Sequence, residues 1–412
     1  MKPGRASKTW LFLGRQEPER MERMKIVVLG AGLMGRAAVY DLGRQRDVRG
    51  IVVADFEFER AKEVARRFGN AKARAAFADV RDTRRLARLL RGCNVVVNCT
   101  QYNWNLDVMR AALAARVNYL DLGGLYHMTR RQFALDRDFR RLGLLAIPGI
   151  GGAPGVTNVM ACALAEPLER VDSIHVYNAG ADRQRYDGPV AYTFSIATIL
   201  DELTIPPVHF LNGRYVERPI LSEPESATFG DSIGRVVLRH SIHSELGTLA
   251  ESFRGRGVRD VFFKINYPPE LVSLVRNLDD AGLTSRTPVA VNGFKVPPRE
   301  VLLALFRKNA PSKPARDVEA LRVVVTGRRK DANVASAMEM WSRYTVRPEF
   351  SAVARDTGFP AAIAAVMVAR GEIKGLGVQA PEKVVPPGSF FAQLRKRGFR
   401  FRAWKMRVPR AA

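Results

Sequence analysis

Short, wholly apolar runs alternating with helix-spaced segments fill the first third of the chain. Lys25 to Leu29, Ile51 to Ala54 and Asn94 to Asn98 carry unbroken apolar centres, the pattern of strands buried on both faces. Between them, Glu57 to Phe68 places Ala61, Val64, Ala65 and Phe68 at helical spacing, and Asp82 to Arg91 reads as a second helix. Weaker strands are expected at Ala71 to Phe77 and Leu144 to Ile147, with another from Asn118 running out at Gly124. Strands alternating with crossover helices predict an α/β fold built on a doubly wound parallel sheet.

Past Ile150 the pattern changes. Val171 to Asn178 alternates as a half-buried strand does, and Asn212-Gly213 lies between two strand-like runs as a hairpin turn. Strands at Val261 to Ile265, Val289 to Val291 and Leu321 to Thr326 mix with helices around Ala191 to Leu203, Pro269 to Leu278 and Arg299 to Arg307. Val334 to Val346 is expected to return beside Leu321 to Thr326. This predicts an α+β domain for substrate and oligomer contacts, with an open mixed sheet. The expected division is an extension over 1–24, a Rossmann domain over 25–150, an α+β domain over 151–350, a segment over 351–398 returning to the first domain, and a basic tail over 399–412. Gly358 to Arg370 is the apolar helix expected to make that return.

The first strand runs into Gly30-Ala31-Gly32-Leu33-Met34-Gly35. In a strand-to-helix turn of this spacing the first glycine permits the tight turn, the second lets a pyrophosphate approach the backbone, and the third lets helix and strand pack closely. Asp55 ends the second strand about twenty residues past the last glycine, where a carboxylate accepts hydrogen bonds from a ribose and repels a 2′-phosphate. The cofactor reading is therefore NAD, with NADP less favoured, and Arg60 is the residue that would accommodate NADP. Asp79, Asn98 and Thr100 follow strand ends on the same side of the expected sheet and are further cofactor candidates, although a cap or turn explains Asp79 as well.

Composition changes this picture little. The chain of 412 residues is 47% hydrophobic and has room for two domains. Its net charge of +25 collects partly in the arginines and lysines after Arg395, without a nucleic-acid motif beside them. Three cysteines without a CxxC pair suit a reducing cytoplasm. No apolar run in the sequence approaches the roughly 20 residues of a membrane span, and residues 1–24 show neither a signal peptide nor a clean transit peptide. No HExxH, CxxC or sequence cluster of histidines suggests a metal.

With VVLGAGLMGRAAVYDL, VNYLDLGG, IPGIGGAPGVTN and GLGVQAPEKVVPPG in place, the chain resembles the saccharopine dehydrogenase-like oxidoreductases. Among them it is most similar to the lysine 6-dehydrogenase type. Gly149 stands where that type carries an aspartate, and His240-Ser241-Ile242-His243-Ser244-Glu245 replaces a glycine- and threonine-rich stretch. The resemblance implies NAD or NADP use, a homodimer or homotetramer, and a small amino-acid substrate. The implied reaction is hydride removal from an amine-bearing carbon, most simply oxidation of the lysine side chain to 2-aminoadipate 6-semialdehyde. The reverse imine chemistry of a saccharopine- or carboxyspermidine-type reductase, or a sensor that binds NAD without turnover, are the other readings.

Such chemistry needs a group that deprotonates an ammonium and moves a second proton. Asp121, at a strand end beside the nicotinamide position, is either that base or the holder of the Gly123-Gly124 turn. His240 and His243 are the next candidates, with Glu245 placed to orient one of them, and Tyr102 either binds substrate or covers the cofactor. Gly152, Thr157 and Asn158 form a glycine-rich helix start that either receives a substrate carboxylate or caps the helix.

Overall fold

The computed structural model describes residues 24–406 except 183, 185, 187–191, 231 and 311–314, so the expected extension lies almost wholly outside the described residues. Met24–Leu29 (β1), Val48–Asp55 (β2), Ala73–Phe77 (β3), Val95–Asn98 (β4), Asn118–Asp121 (β5) and Leu145–Ile147 (β6) form a parallel sheet in the order β6-β5-β4-β1-β2-β3, with Gly377–Val378 added outside β6. The order reverses beside β1, and ligands of open α/β sheets bind in the crevice outside the strand ends at that reversal.

The second sheet contains Arg170–Asp182 (β7), Val208–Leu211 (β8), Arg214–Glu217 (β9), Glu225–Phe229 (β10), Gly234–His240 (β11) and Asp260–Ile265 (β12). The small hairpin Val289–Val291 (β13) and Phe294–Val296 (β14) stands apart, and Asp317–Arg329 (β15) and Ala332–Arg343 (β16) then extend the sheet. β7 pairs with β12 in parallel and with β15 antiparallel, and β15 pairs with β16 over their whole lengths. The sheet is therefore mixed. The hairpin over Asn212-Gly213 forms as its turn residues dictate, with Asn212 at φ 52° and Gly213 at φ 81°.

Two parts of the sequence reading change. Arg400–Met406, expected inside a solvated basic tail, is a strand on the edge of the second sheet, paired antiparallel with β16. Phe401 packs on one face of the sheet and Trp404 on the other, and the strand's charged residues lie on an exposed edge, where they discourage pairing with other chains. The sequence pattern also gives no sign of β10, which is short and mostly small or polar, or of β11, whose apolar centre is flanked by Arg235 and Arg239. Helix Ala352–Ala369 is long and apolar enough to cross a membrane by length and composition, but 83% of it is buried inside the fold. It lies against helix Leu33–Arg44, and a side chain at Gly358 would meet the Met34 carbonyl oxygen at 2.6 Å. It is a core helix, with Arg397 bound to Asp41 and Arg370 to Asp47 beside it.

Candidate active site

A crevice of about 550 Å3 opens at the carboxyl ends of β1, β2 and β4. Gly30 turns the chain at φ +90°, and a side chain on Gly35 would lie 1.8 Å from the Gly30 carbonyl oxygen. A Cβ on Gly32 would meet nothing within 4 Å, so the backbone there faces open space. Helix Leu33–Arg44 starts behind it with no side-chain cap, leaving the N–H groups around Leu33 and Met34 for an anion. Asp55 borders the same space. Its carboxylate accepts from Ala31 N at 2.7 Å and Glu57 N at 2.8 Å, which holds it beside the glycine turn.

Asp79 and Thr100 also line the crevice. Arg81 grips Asp79 from two nitrogens at 2.8 and 2.7 Å, and this bonding draws the Asp79 pKa down. Arg60 is turned onto both oxygens of Glu57 at 2.8 Å. Asn98 is buried and accepts from the Thr100 hydroxyl at 2.6 Å, so it acts on the crevice through Thr100. These residues fit a dinucleotide: bare backbone for a diphosphate, an uncapped helix end, and a fixed carboxylate at ribose distance along the sheet.

Beyond β5, the loop containing His243 reaches the Gly123-Gly124 turn from the second domain. Ser244 Oγ accepts from Gly124 N at 3.0 Å, and Gly123 packs against the same hydroxyl. His243 stacks on Phe263 with ring centroids 3.8 Å apart and hydrogen-bonds Glu245 through Nδ1. Glu245 also accepts from the Thr157 hydroxyl at 2.8 Å. Burial works against a charged His243, but Glu245, Glu202 and Glu319 outweigh it and raise its pKa. Glu202, bonded to the Tyr267 hydroxyl, is pushed up to about 7 by burial, with His243 opposing.

The fold's two domains match separate family profiles. The saccharopine dehydrogenase NADP binding domain matches residues 26–147, and the saccharopine dehydrogenase C-terminal domain matches residues 151–399. The chain belongs to the saccharopine dehydrogenase family. It is an NAD(P)-dependent oxidoreductase of that family. Carboxyaminopropylagmatine dehydrogenase of Synechocystis is 23% identical over 395 residues, covering 91% of this chain and 96% of the relative. Carboxynorspermidine synthase of Vibrio cholerae is 24% identical, covering 88% and 93%. The solved saccharopine dehydrogenase (L-Glu forming) of Saccharomyces cerevisiae shares the fold, with a TM-score of 0.70 at 17% identity over 93% of this chain and all of that one.

Within this saccharopine dehydrogenase-family site several sequence candidates take other roles. Asp121 is fully buried and accepts from four donors: Gly123 N at 2.8 Å, Gly149 N at 2.7 Å, the Tyr119 hydroxyl at 2.8 Å and Gln132 Nε2 at 2.5 Å. That arrangement fastens the two glycine loops, which is the turn-holding alternative read from the sequence. It also explains Gly149, whose N–H is used by a carboxylate from another strand. His240 lies apart from His243. It packs beside Phe262, whereas His243 stacks on Phe263, and successive strand residues point to opposite faces. His240 therefore lies on the face away from the crevice.

Asn158 binds Gly155 N, Thr248 and Glu382 at 2.9, 3.1 and 2.9 Å, so its amide is fully engaged and holds structure instead of substrate. The Thr157 hydroxyl is already given to the Glu245 carboxylate. Gly152 lies against Asp356, where a side chain would meet the Asp356 carbonyl oxygen at 2.8 Å. Tyr102 donates to Asp201 at 2.6 Å, and burial together with Asp201 keeps its hydroxyl protonated. Sequence reasoning missed Glu202, Tyr267 and Glu382, which carry no local motif. Only the fold brings them within reach of His243 and Asn158.

Proposed function

We propose that this enzyme forms a secondary amine reductively, joining a primary amine to an aldehyde and reducing the resulting imine with NAD(P)H. His243, oriented by Glu245, is the acid–base group. The observation that carries this reading is the His243–Glu245 pair on a loop whose Ser244 binds Gly124 just past the end of β5, a strand of the same parallel sheet whose carboxyl ends face the dinucleotide crevice. Its surroundings favour an amine: Glu245, Glu202 and Glu319 all raise the His243 pKa against its burial, and the negative potential that holds a proton there also favours an ammonium. The names of the two curated relatives, a carboxynorspermidine synthase and a carboxyaminopropylagmatine dehydrogenase, support an amine of the polyamine or agmatine type over free lysine.

Condensation requires the ammonium to lose a proton, and the hydroxyl of the carbinolamine must gain one before water leaves. An imidazole with a raised pKa can do both in turn. The nicotinamide, when bound, supplies the hydride to the imine carbon. Gly30, Gly32 and the end of helix Leu33–Arg44 hold the diphosphate, Asp55 and Asp79 hold the adenosine side, and Thr100 positions the far half. Asp55 disfavours a 2′-phosphate, while Arg60 and Arg81 sit where one would be neutralised.

The test supplies NADPH or NADH with agmatine or a diamine and a carboxylate-bearing aldehyde. Coenzyme oxidation that requires both organic substrates is expected. Lysine alone reducing NAD would instead establish the lysine 6-dehydrogenase reaction, which is the same C–N chemistry run toward the aldehyde. Absence of turnover in either direction, with coenzyme binding retained, would leave the sensor reading.

A further inference from the structure

The chain's histidines are scattered in sequence, yet the fold gathers three of them behind the second sheet. His209 on β8, His240 at the end of β11 and His175 on β7 all pack around Phe262. One ligand atom each from His209, Glu223 and His240 can be chosen so that all lie within 4.8 Å of one another. His209 and His240 are 5% and 1% exposed, whereas the Glu223 side chain remains 48% exposed on the turn before β10.

We propose that His209, Glu223 and His240 form a divalent-cation site of the zinc type, separate from the dinucleotide crevice. The chemistry of the donors carries this. His209 Nε2 lies 2.7 Å from Asp260 Oδ1, so a neutral ring donates there and its Nδ1 lone pair faces the cluster. A carboxylate behind a ligating imidazole is the arrangement that fixes tautomer and ring orientation in zinc sites. His175 holds the other oxygen of the same carboxylate at 2.9 Å. His240 Nε2 and Glu223 Oε2 are 3.2 Å apart, close to the roughly 3.3 Å edge of a tetrahedron with zinc–ligand bonds of about 2.0 Å.

A positive group already occupies the gap. Arg218 reaches His209 Nδ1 at 3.4 Å and Glu223 Oε1 at 3.4 Å, both long for well-made bonds. Those two groups attract a cation there, and the guanidinium is held loosely enough to swing to solvent. Lys264, the other nearby cation, is bound to Glu225 at 2.9 Å. The His209 and His240 rings lie with centroids 5.1 Å apart, and Glu223, on an exposed turn, is free to adjust to an ion between them. Two imidazoles and one carboxylate leave a fourth position for water. The bound ion would tie β8, β11 and the Glu223 turn together three residues before His243.

The whole protein, stripped with a chelator and dialysed, is titrated with zinc chloride by calorimetry and with cobalt chloride by visible absorption. One zinc per chain, a tetrahedral cobalt band and a rise in thermal midpoint with zinc are expected. His240→Gln and His209→Gln should abolish all three, Asp260→Asn should weaken affinity by about 10- to 100-fold, and His127→Gln should change nothing. Glu223→Gln is on the surface and keeps the fold intact, so its expected loss of affinity of at least tenfold guards against a merely unfolded histidine variant. Failure to bind stoichiometrically, or binding that survives Glu223→Gln and His240→Gln, overturns the proposal.

Discussion

The Thr157 hydroxyl donates to Glu245 Oε1 at 2.8 Å, while the other oxygen of that carboxylate meets His243 Nδ1. One bond thus joins the helix that leaves the first domain to the proposed acid–base pair carried by the second. Glu245→Gln removes the charge that sustains His243 as a proton carrier. Turnover should fall by about 100-fold or more, and the basic limb of the pH–rate profile should move to lower pH as the His243 pKa drops. Thr157→Val keeps the charge and loses one hydrogen bond, a change of about 1–3 kcal/mol. Its effect on turnover should be much smaller than that of Glu245→Gln. Equal losses in the two variants would show that the carboxylate does not act through its charge.

Asp121 separates a structural from a catalytic role cleanly. An asparagine at this position brings an amide donor to face groups that already donate. Disrupting such a buried charged network costs about 3–5 kcal/mol, a large share of the roughly 5–15 kcal/mol that holds a domain folded. Asp121→Asn should therefore lower the thermal midpoint and coenzyme affinity together with turnover. A variant of unchanged stability and affinity that had lost only turnover would restore Asp121 as the base. Denaturant unfolding and coenzyme calorimetry on the same preparation decide between them.

The glycine turn supports a paired test. Gly35→Ala would put a methyl 1.8 Å from the backbone oxygen of Gly30, a clash that no side-chain adjustment relieves, and the variant should unfold or lose several kcal/mol. Gly32→Ala meets nothing in the protein. It should keep the parent's thermal midpoint and lose coenzyme affinity at least tenfold, about 1.4 kcal/mol. Full affinity in a folded Gly32→Ala protein would mean that the diphosphate lies elsewhere.

Local pattern made the first domain legible. Its strands are unbroken apolar runs, its helices have clear spacing, and the glycine turn announces itself in six residues. The second domain was legible only where alternation was clean, as in β7 and the Asn212-Gly213 hairpin. β10 escaped because it is short and mostly small or polar, β11 because Arg235 and Arg239 flank its apolar centre, and Arg400–Met406 because its arginines outweigh the aromatics that anchor it. At the site, His243 and Glu245 were visible together because they are two residues apart. His240, equally conspicuous in sequence, could not be assigned to the opposite sheet face without the register of β11 on β12. Glu202 and Tyr267 come together across 65 residues, a separation no motif reports.

Glu202 gives the structure a predictable pH dependence. Its folded pKa of about 7 stands above the ordinary 4.5, so the folded protein holds this proton more tightly than the unfolded chain does. The stability this contributes is complete below pH 4.5, declines as pH rises and is gone above 7. The difference corresponds to about 3 kcal/mol, at roughly 1.4 kcal/mol per pKa unit. Glu202→Gln preserves an acceptor for Tyr267 and abolishes the titration. Relative to the parent, the variant should gain stability between mildly acidic and mildly alkaline buffer by up to about 3 kcal/mol, read from urea unfolding at each pH. His243 also has a raised pKa, so the parent's loss through this range has two sources; removing Glu202 deletes one and lowers the pKa of the other. A stability difference between variant and parent that stays constant across the range would show that Glu202 does not change its protonation on unfolding.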